Sequence, residues 1–174
     1  MISIGEQEYN ILAPAVETAP VPVEDEIEEP IIEIPTDPVD EITFEFVRSS
    51  KINQMNMTCK QIIENGFDLE LRGETHHFSL TTQDQLNIMN LSILVQTQEL
   101  IPYHADGEET TFYTAEEINQ IIAAATQFKT YQTTYYNALK TYINALDTIE
   151  DIAAITYGTP IPEEYKSDVL KVLE

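Results

Sequence analysis

The side chains with chemistry to offer are three histidines, one cysteine and a surplus of carboxylates. His76 and His77 are adjacent, and neighbouring residues on a strand point to opposite faces, so the pair cannot chelate one metal without bending the backbone. His104, with Asp106 and Glu108, adds possible ligands only if its turn meets the His76-His77 strand in space. The residue types suit zinc and the spacing does not; the expectation is one histidine packed in the core and another hydrogen-bonded at the surface. Asp106-Gly107-Glu108-Glu109 is acidic but lacks the ligand spacing of an EF-hand loop. Cys59 falls on an apolar helical face, where a thiol behaves as a small buried hydrophobe. No glycine-rich phosphate loop and no Gly-x-Ser-x-Gly elbow occurs. Carboxylates are too abundant to single out an acid/base dyad, so the sequence predicts no enzyme, no metal and no cofactor.

Charge narrows the classes further. Against 31 acidic residues stand 8 basic ones, a net charge of -23 over 174 residues. Nucleic-acid binding needs lysine and arginine to displace counterions from phosphates, and an anionic membrane surface needs them too. Neither partner is expected. No apolar run approaches the roughly 20 residues of a membrane span. The opening residues Met1 to Glu6 lack the basic and apolar stretches of a signal peptide.

The elements that carry these residues fall into two unlike parts. Residues 1–47 hold thirteen Asp or Glu and no Lys or Arg, and six of the nine prolines lie from Pro14 to Pro38. Proline at that density interrupts helices and central strands, and like charges keep a chain extended. Residues 1–41 therefore read as an extended acidic arm. Ile31, Ile32 and Ile34, or the alternating Ile42, Phe44 and Phe46, are the segments that could add a strand to a partner's sheet edge.

Residues 42–174 read as a mainly helical domain, α+β through a short hairpin at about 67–80. Ile52, Met55, Cys59, Ile62 and Ile63 recur at helical spacing before a Gly66 stop. Phe67 to Leu71 and His76 to Leu80 flank Arg72-Gly73-Glu74 as hairpin strands. Thr82 and Gln85 fit a capping box, and the helix behind them, 82–98, is apolar on nearly all sides, as in a helix buried within a fold or an assembly. Asp106-Gly107 offers a further turn, with Phe112-Tyr113 beyond it. A second capping box, Thr114 to Glu117, opens a long helix reaching about 146 with no proline or glycine. Along it Ile118, Ile121, Ala125, Phe128, Gln132, Tyr135, Leu139, Tyr142 and Leu146 alternate spacings of three and four. That seam fits an ordinary core helix packed on helix 82–98, or self-association into a homo-oligomer with Gln132 fixing the register. Two short helices close the chain, Ile149–Ile155 and Pro162–Leu173, around a Gly158-Thr159-Pro160-Ile161-Pro162 elbow.

An ordered series of stretches carries a family resemblance over about residues 51–173. They are Gly66-Phe67-Asp68-Leu69, His76-His77-Phe78-Ser79-Leu80-Thr81, Asp84-Gln85-Leu86-Asn87, Tyr103-His104-Ala105-Asp106-Gly107-Glu108, Phe112-Tyr113-Thr114-Ala115-Glu116, Tyr135-Tyr136-Asn137 and Ile161-Pro162-Glu163-Glu164-Tyr165. The series resembles a small uncharacterised domain of tailed bacteriophages and prophages of Gram-positive gut bacteria, encoded among tail and baseplate genes. The resemblance implies a structural virion protein whose partners are other tail or baseplate proteins, and it carries no catalytic residue. A tail-fibre assembly factor absent from the particle and an acidic DNA mimic that inhibits a host enzyme are the rival readings. The arm lies outside the resemblance.

Overall fold

In the computed structural model the described residues are 39–174, with side chains described from Thr43 onward. Ile31, Ile32 and Ile34 lie outside them. The element order is α1 (Val39–Asn65), β1 (Phe67–Leu71), β2 (Glu74–Phe78), α2 (Thr82–Leu94), β3 (Leu100–Tyr103), β4 (Thr111–Thr114), α3 (Ala115–Asn144), α4 (Ile149–Ala154), a 3-10 turn (Glu163–Tyr165) and α5 (Asp168–Leu173). The fold is mainly helical, with two separate antiparallel hairpins, β1–β2 and β3–β4.

The alternating strand expected at Ile42–Phe46 is instead the first part of α1. Phe44, Val47, Ile52, Met55 and Cys59 continue the helical period upstream, and that longer pattern overrides a three-residue alternation. Phe44 and Val47 pack on the core, whereas Phe46 is 69% exposed. A strand-adding role for Ile42, Phe44 and Phe46 is thereby removed, because their backbone runs within the α1 hydrogen-bond ladder.

The spine is α3, thirty residues and about 45 Å long. Its first half enters a core with Phe67, Phe78, Leu80, Ile88, Ile101 and Tyr113 through Ile118, Ile121 and Ala125. Its second half enters another with Met55, Ile152, Ile155, Ile161 and Leu170 through Tyr135, Ala138, Leu139 and Ile143. The seam is thus consumed inside the chain. Ile118, Ile121 and Leu139 have no exposed surface, Tyr135 is buried, and Phe128 and Tyr142 pack half-buried against the two cores. Self-association along the seam would require opening those cores.

Gln132 marks the join between the cores. Its side-chain oxygen accepts from Tyr157 Oη at 3.0 Å, and its backbone carbonyl accepts from Cys59 Sγ at 3.5 Å. Half-buried there, Gln132 is engaged within the chain, where it anchors the C-terminal elbow. Tyr135 does the same from one turn on, donating to the Thr159 carbonyl at 2.8 Å and accepting from Gly158 N–H at 2.8 Å. Burial pushes both phenols up, so they remain protonated donors.

Two of the eight cations, Arg48 and Lys51, are spent on helix ends. Arg48 donates to the Leu146 carbonyl just past α3, and Lys51 to the Ala153 and Ile155 carbonyls at the end of α4. Neither α3 nor α4 has a basic residue in its own last turn. Two cations one turn apart on α1 therefore supply the charge that these C-termini attract.

Capping boxes begin both long helices after α1. At α3 it joins Thr114 and Glu117 as expected. At α2 it joins Thr81 and Asp84, one residue before the expected pair. The sequence offers both registers, and an ionised carboxylate accepts the cap N–H more strongly than an amide oxygen. Gln85 is left free to donate to the Leu80 carbonyl at 2.8 Å and to accept from Lys129.

Candidate functional site

The histidines come first. The two turns do meet: Glu108 Oε1 lies 2.8 Å from His76 Nδ1, and Asp106 N–H donates to the His77 carbonyl at 2.9 Å. Asp106 also accepts from Ser79 N–H at 3.1 Å, while Ser79 Oγ donates toward Asp84 at 3.0 Å. His77 turns the other way, to Asp68 at 2.6 Å and the Asn65 carbonyl at 2.7 Å. His104 Nδ1–H donates to the Ala105 carbonyl. Among the described residues no three His, Cys, Asp or Glu side chains converge as a metal-binding group. The contacts through Asp106 and Glu108 fasten their turn to β2, and His77–Asp68 ties β2 to β1.

His77 has a consequence of its own. Both ring nitrogens face acceptors, which a neutral imidazole with one N–H cannot satisfy. The carboxylate of Asp68, then the carbonyl of Asn65 at the C-terminus of α1, raise its pKa. A raised folded-state pKa contributes stability fully below the unfolded value of about 6.5 and loses it as pH rises through the folded value. The expected result is a stability gap between wild type and His77→Ala that is open at pH 5.5 and closed by pH 9. Because the ring is half exposed, the gap should be about 1 kcal/mol or less. Urea titrations of both proteins at the two pH values measure it; a gap that widens with pH would contradict the imidazolium.

Arg72 makes the other strong polar contact. The hairpin turn places Arg72 (φ 56°) and Gly73 (φ 81°) in the left-handed region, the geometry of a two-residue type I′ connection. From there the guanidinium grips both oxygens of Glu117, at 2.5 and 2.7 Å, and donates to the Phe112 carbonyl at 2.9 Å. The grip of Arg72, with the Thr114 backbone N–H, holds the Glu117 carboxyl down at about 2. These contacts join both hairpins to the start of α3.

What the fold leaves unspent is apolar. Only one side of α2 is buried, at Ile88 and Leu91. Leu86, Met89 and Ile93, spaced three and four apart, are 45%, 58% and 62% exposed. The nearly all-round apolar helix is therefore half accounted for by the fold. Beside the stripe, α2 and α3 part into an open groove of about 290 Å³ lined by Leu80, Ile88, Met89, Ile122 and Ala125, with Gln85 and Lys129 at one end. Met89 belongs to both stripe and groove, so they form one continuous surface. Residues 85–98 and 118–128 contain no Asp, Glu, Lys or Arg. In a chain that is 22% charged, the two helices that frame this groove present a face whose one lining charge is Lys129 at its end. Charge depletion with exposed aliphatic side chains is a character of interface cores.

The expected interface residues were placed on the seam and the arm, and the structure puts the exposed stripe elsewhere. The missing signal was the absence of charge from 85–98, which distinguishes a helix with two apolar faces from one that is merely buried. Among the described residues no helix is long and apolar enough to cross a membrane. Residues 46–157, more than half of the chain, match the family described as Domain of unknown function (DUF4376). No curated protein and no solved structure matches it.

Proposed function

We propose, for a chain that belongs to the Domain of unknown function (DUF4376) family, a non-catalytic role in a phage tail or baseplate, exerted through protein–protein contact. The observation that supports contact as the mode of action is the exposed, uncharged stripe of Leu86, Met89 and Ile93 beside the α2–α3 groove. An apolar surface of this kind lowers its free energy by being covered, at about 25 cal/mol per Å² of apolar area. The address in the virion rests on the resemblance of the 51–173 series alone. In this reading the acidic N-terminal segment, with Ile31, Ile32 and Ile34, is a second attachment that engages a basic or apolar groove of a neighbouring subunit.

Peptide mass spectrometry and immunogold labelling of purified particles test the proposal. Wild-type chain should be present at the tail tip at stoichiometric copy number, and Ile93→Glu should be incorporated at least tenfold less. Abundance in the infected cell with absence from clean particles would overturn the structural role in favour of an assembly factor.

A further inference from the structure

We infer that the α2–α3 face is covered by a second copy of this chain, related by a two-fold axis. The inference rests on the reading of that face as an interaction surface and names its occupant. Three features select a second copy over other partners.

The first is shape. A two-fold interface is isologous: the same patch must present both the projection and the recess that receives it. Here Met89 and Ile93 project beside the groove that Ile122 and Ala125 line. One copy's stripe can enter the other's groove while the reverse happens across the axis.

The second is charge. Each chain carries -23, so two copies repel over most of their surfaces. The faces of 85–98 and 118–128 are where two copies can approach without opposing like charges. A basic partner would gain nothing from a face without carboxylates. The chain's own residues 1–38, with ten Asp or Glu and no Lys or Arg, would find a single cation among the groove-lining residues, Lys129, and its ammonium already donates to Gln85.

The third is the polar complement. Asn87 and the exposed Asn90 lie on α2 and Gln96 just beyond it. Asn87 Oδ1 accepts from Gln83 at 3.1 Å and Gln96 donates to the Ser92 carbonyl at 3.3 Å, so Asn90 is the amide with most to offer a partner. A side-chain amide is both donor and acceptor and so can pair with its own kind, whereas a carboxylate facing a carboxylate cannot.

Sedimentation equilibrium of the full 174-residue chain, from 1 to about 200 µM, tests the inference directly. The mass should rise with concentration from 19.8 kDa to twice that value, and no further. Raising salt from 50 to 500 mM should tighten association, because it screens like-charge repulsion. Met89→Glu and Ile93→Glu should each weaken it at least tenfold. Val172→Glu, on the exposed face of α5, adds the same charge and should leave it unchanged. Met89 and Ile93 are exposed, and circular dichroism checks that the variants fold. Amide exchange over 85–98 should slow with concentration. A monomer throughout, a trimer, a dimer indifferent to both stripe variants, or association that weakens with salt would each overturn the inference. So would protection of 85–98 that is independent of concentration, which would place the chain's own N-terminal segment on the face. A monomer whose Ile93→Glu variant still fails to enter particles would defeat the second copy and leave the contact role standing.

Discussion

Gly66→Ala is expected to lower the stability of the domain by about 3 kcal/mol or more, the range of a bulky atom forced against fixed backbone at a left-handed position. Gly66 ends α1 at φ +85°, and a Cβ there would stand 1.9 Å from the Phe78 carbonyl oxygen and 2.6 Å from Ser79 Cα. Both are backbone atoms, so no side-chain rotation relieves the clash. The N–H of Gly66 donates to the Ile63 carbonyl at 3.0 Å, and Leu80 N–H reaches the Glu64 carbonyl at 3.1 Å. The chain leaving β2 thus crosses directly over the end of α1 and helps to cap it. Moving the crossing to admit a methyl group would break that cap and shift Phe78 and Leu80, both buried. Gly107 is the control: its φ is +74° and nothing lies within 4 Å of a Cβ. Gly107→Ala should cost only about 1 kcal/mol of conformational strain. Denaturant midpoints of the two variants decide the matter, and equal losses would mean that the crossing is not tight.

Truncation of either core should be felt in both. Ile121→Ala and Leu139→Ala each remove a fully buried side chain, and each is expected to cost about 2–5 kcal/mol. The two residues belong to separate clusters at opposite ends of α3. One uninterrupted helix threads both clusters, and α1 packs along it from Arg48, bonded to Leu146, to Ile63 in the first core. Unfolding one end therefore frays the helix that organises the other. Native-state amide exchange in β1 and in α4 should accelerate by similar factors in either variant. Loosening of α4 alone in Leu139→Ala, with β1 protection unchanged, would show that the helix does not couple the ends.

The sequence carried the long elements well because their signals were redundant. Thr114 and Glu117, the absence of proline and glycine, and a seam of nine positions all specify α3. The first hairpin was legible from alternation around Arg72-Gly73, and the Gly66 stop from the end of a helical period. The start of α1 was misread because Ile42, Phe44 and Phe46 satisfy a strand over five residues, while the helical pattern that wins emerges only over twenty. Cap register at α2 depended on a one-residue choice between Thr81–Asp84 and Thr82–Gln85, which acceptor strength decides and spacing does not. The second hairpin was half visible, in its turn and in Phe112-Tyr113; the short β3, with Pro102 inside it, gave little strand signal. For the candidate surface, periodicity could show that α2 was apolar. It could not show which apolar side the fold would use, because the sheets and α3 that take Ile88 and Leu91 come from distant parts of the chain.

In mechanical terms α3 is a strut. Each end is gripped side-on by its own packed cluster, and the helix between them carries its hydrogen bonds parallel to its axis. A pull along that axis would load every side-chain contact of a cluster at once in shear, whereas a hairpin pulled apart from its open end yields one rung at a time. The middle of the strut, around Gln132, is where Cys59 and Tyr157 converge to brace it, both donating to the Gln132 carbonyl. A domain built this way transmits displacement from one end to the other with little bending, so a load taken up at the hairpins arrives at the C-terminal elbow as translation of a rigid rod.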